Sequence, residues 1–162
     1  MRVPERFSGR ILELAAAAAW REQQRAAGRT VVSTNGVFDL LHAGHVAYLA
    51  WARAQGDALL LLLNEDESVG ALKGPQRPIV AFAERAQVVA GLRSVDVVVG
   101  FAERTPEVAL DRLRPDIHVK SAQYRLDQLP ERAVVEQHGG RIVLAPHQAG
   151  RSTTDLVAAI RR

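Results

Sequence analysis

A chain of 162 residues, 48% of them hydrophobic, has room for one sizeable core and too little length for two ordinary domains, so it reads as a single domain. It contains no cysteine, which excludes disulfides, thiolate zinc sites and cysteine nucleophiles. The net charge of +3 is spread without a dense basic run and aromatics make up only 5%, a balance that argues against nucleic acid as partner and for a small polyanion.

In chain order, the longest purely apolar stretch near the N-terminus is residues 14–20, flanked by Glu13 and Arg21-Glu22. That is neither a signal peptide nor a membrane span, and the expectation is a cytoplasmic protein with no membrane partner. Residues 9–27 read as a helix, with Ile11, Leu12, Leu14, Ala15, Ala18 and Ala19 forming an apolar band and Gly28 as its stop. This N-terminal segment, residues 1–29, is expected to pack on the main domain, residues 30–162. Five β-rich runs follow at 30–34, 58–63, 95–99, 116–120 and 141–145, separated by helical patterns at 45–55, 81–92, 106–113 and 129–138. Thr105-Pro106-Glu107 reads as an N-cap followed by proline at the first helical position, and Gly139-Gly140 sits where the fourth helix of this series should stop. The alternation predicts βαβ units: a doubly wound, Rossmann-like α/β domain around a five-stranded parallel sheet. The apolar runs Leu59 to Leu63 and Val97 to Val99 suit strands buried on both faces.

Ligands of such sheets bind outside the carboxyl ends of the strands. Directly after the first of the five runs comes Asn35-Gly36-Val37-Phe38-Asp39-Leu40-Leu41-His42-Ala43-Gly44-His45. Spacing of three puts His42 and His45 on one side of a starting helix turn, beside free N–H groups and the positive end of the helix dipole, which together make an anion site. Gly36 permits close approach of backbone to a phosphate, and Gly44 leaves space beside the imidazoles. Either histidine alone would read as ordinary. Two histidines with Asp39 as the one nearby carboxylate are a poor zinc set, so no metal is assigned to protein ligands. Asp39 reads as structural, fixing the turn by local hydrogen bonds.

Lys73 lies in Leu72-Lys73-Gly74-Pro75-Gln76-Arg77-Pro78, read as a loop shaped by its glycine and prolines and presenting two cations, Lys73 and Arg77. Arg85 shares the buried face of its helix with Phe82, Ala86, Val89 and Leu92, so either its stem runs past the core or its head reaches an anion at the sheet edge. Asn64, ending the second run, could meet ligand or cap the loop that follows. Ser152-Thr153-Thr154-Asp155 opens the last helix, with Ser152 as cap. Its hydroxyls and N–H groups, with Arg151, also suit phosphate oxygens. His118, His138 and His147 have no comparable context.

Taken in order, the H-x-G-H stretch, Asn64-Glu65-Asp66-Glu67-Ser68-Val69, Leu72-Lys73-Gly74 with Arg77-Pro78, and Gly150-Arg151-Ser152-Thr153-Thr154 resemble the H-x-G-H nucleotidyltransferase superfamily. Within it they look most like the heptose 1-phosphate adenylyltransferase domains that make ADP-heptose. The resemblance implies transfer of AMP from ATP to a sugar 1-phosphate with release of pyrophosphate, Mg2+ accompanying the triphosphate, and a homodimer. It implies catalytic roles for His42, His45 and Lys73. Nucleotide contacts would come from Gly36, Val37, Phe38, Gly44, Asn64, Arg85, Lys120, Ser152, Thr153 and Thr154. Two alternatives stay open: a glycerol-3-phosphate-type cytidylyltransferase using CTP, and a nucleotide-binding module without catalysis. The sequence departs from the family in one place. Where the heptose enzymes read Val-Lys-Gly-Gly-Asp-Tyr, this chain reads Val119-Lys120-Ser121-Ala122-Gln123-Tyr124. Two glycines have gained side chains and a carboxylate has become an amide.

Overall fold

Six strands rather than five form the sheet of the computed structural model, which describes residues 9–146. The elements are β1 (Arg10–Ile11), α1 (Leu14–Ala26), β2 (Val31–Gly36), α2 (Ala43–Arg53), β3 (Ala58–Asn64), α3 (Asp66–Lys73), α4 (Phe82–Ala90), β4 (Val97–Phe101), α5 (Glu107–Leu113), β5 (Ile117–Ser121), α6 (Arg132–Gln137) and β6 (Arg141–Ala145). The sheet order is β1-β4-β3-β2-β5-β6 and every pairing is parallel. Parallel neighbours need crossovers, and these lay helices over both faces.

The leucine run of β3 shows how the two faces are filled. Leu59, Leu61 and Leu63 join Val32, Val98 and Val119 beneath Leu49 and Ala52 of α2 and Ala86 and Val89 of α4. Leu60 and Leu62 point the other way, with Val31, Val97 and Val99, against Trp20 of α1, Leu110 and Leu113 of α5, and Val135 of α6. All seven residues of β3 are buried, as the period of two in a strand requires when both faces are covered.

The sixth strand lies where a helix start was expected. Arg10 and Ile11 pair with Val97 and Val98, and the Leu12 N–H donates to the Val98 carbonyl at 2.9 Å. β4 would otherwise present open backbone groups at the sheet edge, and two extended residues satisfy several of them before α1 begins at Leu14. Gly9 is needed there, since a Cβ would come 2.4 Å from the Val95 carbonyl oxygen. Residues 10–26 thus contribute a strand and a helix to the same sheet. Arg21 of α1 is buried and reaches the opposite, amino-terminal edge, where its Nη2 donates to Asp116 Oδ1 at 2.8 Å. Asp116 Oδ2 accepts the Val31 N–H at 2.7 Å.

Helix α3 was not anticipated, because only Ser68 and Val69 are buried in it and no apolar stripe announces it. Its ends are nonetheless well signalled: Asp66 and Glu67 in the first turn, Lys73 in the last, and Gly74 at φ 96 as the stop. Lys73 is therefore the last residue of a helix, not part of a loop. Pro106 is itself the N-cap of α5, one residue later than Thr105, whose hydroxyl donates instead to Glu107 Oε2 at 2.6 Å. α6 begins at Arg132, after a 3-10 turn over Leu126–Gln128, and Gly139 follows it at φ 79. Among the described residues no helix is long and apolar enough to cross a membrane.

Leu61 is fully buried at the centre of the sheet. Leu61→Ala is expected to lower unfolding free energy by about 2–5 kcal/mol, measured by urea denaturation at neutral pH.

Candidate active site

A cleft of about 1080 Å³ opens along the carboxyl ends of the strands, the edge at which doubly wound sheets hold ligands. Its floor is the turn from β2 into α2, where Asn35 to Asp39, His42, Gly44 and His45 line it. His42 is the N-cap of α2. Its Nδ1 accepts the Gly44 N–H at 3.1 Å, while His45 Nδ1 lies 3.4 Å from the His42 N–H. The spacing of three is thus a reciprocal cap, in which each imidazole satisfies an orphan donor of the helix start. The rings stack with centroids 3.9 Å apart, and the Phe38 ring closes on His45 at 5.2 Å.

The cap decides the tautomers. A ring nitrogen that accepts a hydrogen bond carries no proton, so in the neutral rings the N–H sits on Nε2. Burial, with His42 and Lys73 nearby, pushes the His45 pKa down from 6.5 to about 4, so His45 is neutral near pH 7. Two residues that line the cleft thereby offer imidazole N–H donors.

Phe38 has φ 45, a left-handed conformation uncommon for an aromatic residue. The turn is held by bonds from far along the chain. Asp39 is buried, and its carboxylate accepts the N–H groups of Ile79 and Val80, each at 2.9 Å, and Arg77 Nη1 at 2.8 Å. Asp39 is therefore structural as expected, but it clamps residues 77–80 instead of closing its own turn. Arg77, the second cation of the Leu72–Pro78 stretch, is the partner in that clamp. Burial alone would raise the Asp39 pKa; the Ile79 and Val80 N–H groups and Arg77 outweigh it, and the pKa lies below 3.8.

Arg85 follows the same pattern. At 1% exposure, it donates to the Val80 carbonyl at 2.8 Å, to the Val37 carbonyl at 2.7 Å and to Asp66 Oδ1 at 2.7 Å. It does not line the cleft, so the expected ligand contact is replaced by support of the turn that bears the histidines. Gly36 also has a steric reason of its own: a Cβ there would lie 2.7 Å from the Phe38 ring. Asn64 lines the cleft and donates to Ser68 Oγ at 2.9 Å, which in turn donates to the Glu103 carbonyl at 2.8 Å.

The two ends of the cleft differ in charge. At the β3–β4 end stand Lys73 and Arg104, neither with an ion-pair partner among the described residues. At the β5 end Lys120 donates to Asn35 Oδ1 at 2.8 Å and pairs with Glu131 at 2.7 Å. Between them the Tyr48 hydroxyl is held by Thr34 Oγ1 at 2.7 Å and the Val119 carbonyl at 3.0 Å, and burial pushes its pKa up to about 12. Arg104, Tyr48 and Glu131 escaped sequence reasoning. None belongs to a motif, although Arg104 stands just beyond a strand end, a place that could have marked it. Gly44, Val37, Phe38 and Lys120 line the cleft, whereas Ser152, Thr153, Thr154 and His147 lie outside the described residues. His118 is buried within the sheet against Ser33 Oγ at 2.7 Å. Among the described residues no group of three or more histidine, aspartate or glutamate side chains is placed to hold a metal ion.

An open parallel sheet with a cleft at its carboxyl edge places the protein among Rossmann-like α/β proteins. Comparison narrows the class. Residues 33–157 match the family model described as Cytidylyltransferase-like, and the chain belongs to that family. It is similar to the bifunctional protein HldE of Azotobacter vinelandii, 49% identical over 141 residues, covering 87% of this chain and 30% of that protein. Similarity to HldE of Halorhodospira halophila is 47% over 158 residues, covering 98% and 33%. The chain thus spans about a third of the length of these curated relatives. Among solved structures, a lipopolysaccharide core biosynthesis protein from Thermoplasma volcanium superposes with TM-score 0.62 at 23% identity, covering 76% of this chain and all of that one. A pantoate-beta-alanine ligase from Francisella tularensis does so at TM-score 0.61 and 12% identity, covering 95% and 77%. These two likenesses bear on fold alone.

Asp39→Ala strands two N–H groups and Arg77, and should destabilise the protein by about 1.5–3 kcal/mol at neutral pH. The Asp39 pKa is lowered on folding, so its contribution is fully present above 3.8 and is lost as pH falls through the lower folded value. Denaturation from pH 7 to pH 2 should therefore show the gap between wild type and variant holding to about pH 4 and closing below it.

Proposed function

We propose that this chain transfers AMP from ATP to a sugar 1-phosphate, with heptose 1-phosphate the first candidate, and releases pyrophosphate. The observation that carries the reading is the reciprocal His42–His45 cap, which fixes imidazole donors beside Lys73 in a cleft at the carboxyl edge. Similarity to HldE and the motifs from Asn64 to Pro78 support the heptose side over a CTP-dependent glycerol-3-phosphate enzyme.

In the reaction an oxygen of the acceptor phosphate forms a bond to the α-phosphorus of ATP, and the bond from that phosphorus to the bridging β-oxygen breaks. The attacking oxygen is already anionic near neutral pH, so no general base is required. What the protein supplies is alignment and compensation of charge growing on the transferred group. Neutral His45 donates from Nε2, His42 donates beside it, and Lys73 places a positive charge near the phosphates. Val37 and Phe38 offer the turn as a floor, with Arg85 and Asp39 keeping it in shape. Lys120 and Asn64 border the nucleotide, and Ser152 to Thr154 would take the outer phosphates. A divalent cation such as Mg2+ would come with the triphosphate as its counterion and would supply further compensation of phosphate charge.

Pyrophosphate release should depend on both ATP and a sugar 1-phosphate, and CTP with glycerol 3-phosphate should give none. Nucleotide binding without release for any pair would instead favour a non-catalytic module. His45→Ala should lower kcat by about 10²-fold or more, the scale for one lost transition-state donor. Near-wild-type turnover by folded variant would remove His45 from the mechanism.

A further inference from the structure

Position 123 is glutamine where the resembled family carries aspartate, so the loop after β5 lacks that carboxylate. The fold brings a buried carboxylate to Lys120, at the end of β5. Glu131, the residue before α6, is 2% exposed, and its Oε1 lies 2.7 Å from Lys120 Nζ. On its other side Lys120 meets Asn35 Oδ1 at 2.8 Å, and its Nζ stands 4.9 Å from the centroid of the Tyr124 ring. An ammonium has three N–H donors. Asn35 Oδ1 accepts one, while Glu131 Oε1 sits against the ammonium as an ion-pair partner without accepting a hydrogen bond, so Lys120 keeps donors for a ligand but no net charge to offer with them.

The other group near Glu131 does not change this balance. His118 Nε2 lies 3.9 Å from the same oxygen, but burial, with Lys120 nearby, pushes its pKa down to about 3, so it is neutral. Lys120 thus compensates Glu131, and both residues line the cleft. Lys73 and Arg104, at the far end, carry charge with no such partner among the described residues.

We infer that Glu131 is a positioning and specificity residue: by neutralising Lys120 and holding it against Asn35, it makes the β5 end of the cleft a site for the uncharged nucleoside and leaves phosphates to the Lys73 end. The inference deepens the nucleotidyl-transfer reading and rests on it for the identity of the nucleoside, but its test needs no turnover.

The test compares two probes, adenosine and inorganic tripolyphosphate, titrated by calorimetry into wild type, Glu131→Gln and the double variant Lys120→Met with Glu131→Gln. Freed of its carboxylate, Lys120 should bind tripolyphosphate about 10-fold tighter in Glu131→Gln, while adenosine binds several-fold more weakly. The double variant should return tripolyphosphate to its wild-type affinity. A purely structural lesion would weaken both probes together, so that result, or no change in tripolyphosphate affinity, overturns the inference. Should Glu131→Gln fail to fold, the double variant, which buries no lone charge, decides. Tripolyphosphate binding weaker than wild type would show Lys120 to be a phosphate ligand and overturn the inference; equal binding supports it. Wild type that binds both probes yet releases no pyrophosphate would defeat the transferase reading and leave this comparison intact. Wild type that binds neither would defeat the inference itself.

Discussion

Five consecutive leucines, Leu59 to Leu63, can be buried together only if both faces of their strand are covered. That demand organises the molecule. It puts β3 inside the sheet between β4 and β2, sets α2 and α4 over one face and α1, α5 and α6 over the other, and makes every sheet connection a crossover. Since all strands run the same way, their carboxyl ends gather along one edge. The cleft exists there because the loops leaving that edge diverge to helices on opposite faces, most plainly where the chain order reverses about β2.

The turn leaving β2 is the costly part of this arrangement. Phe38 sits at φ 45 with its ring buried against His45, a conformation that persists only when its surroundings over-determine it. Asp39 and Arg85 supply that constraint by bonds to distant parts of the chain: Asp39, within the turn, clamps residues 77–80, and Arg85 ties the Val37 carbonyl to α3 and α4 through Asp66 and its own helix. The histidines then serve twice. They close the first turn of α2 by capping, and because their Nδ1 atoms are occupied as acceptors each neutral ring carries its proton on Nε2. Helix capping and the ring tautomers are therefore set by the same few hydrogen bonds.

Charge along the cleft is sorted by which cations have found partners. Arg77 and Arg85 are held by Asp39 and Asp66, and Lys120 by Glu131, while Lys73 and Arg104 stand without an ion pair among the described residues. The overall charge of +3 carries none of this information. Whether a cation at the cleft keeps its charge depends on the partner the fold gives it, not on its presence in a basic loop.

Much of this was legible in the linear sequence. Strand positions, the doubly wound architecture and the place of the H-x-G-H stretch follow from local periodicity and from the family's motifs, since burial on two faces and helix capping both leave short-range signatures. The two-residue strand Arg10–Ile11 left none, because it is recruited by an open sheet edge, and the helix Asp66–Lys73 left only its end signals, because it buries just two side chains. Arg85 looked from its helix face as though it could reach ligand; which acceptors actually surround its guanidinium depends on the Val37 carbonyl, 48 residues away. The pairings of Asp39 with Arg77 and of Lys120 with Glu131 are likewise tertiary. Sequence by itself determined which residues alternate into a core and which begin a helix. Only the folded chain decided which charges cancel, because compensation depends on distances between residues brought together by separate crossovers.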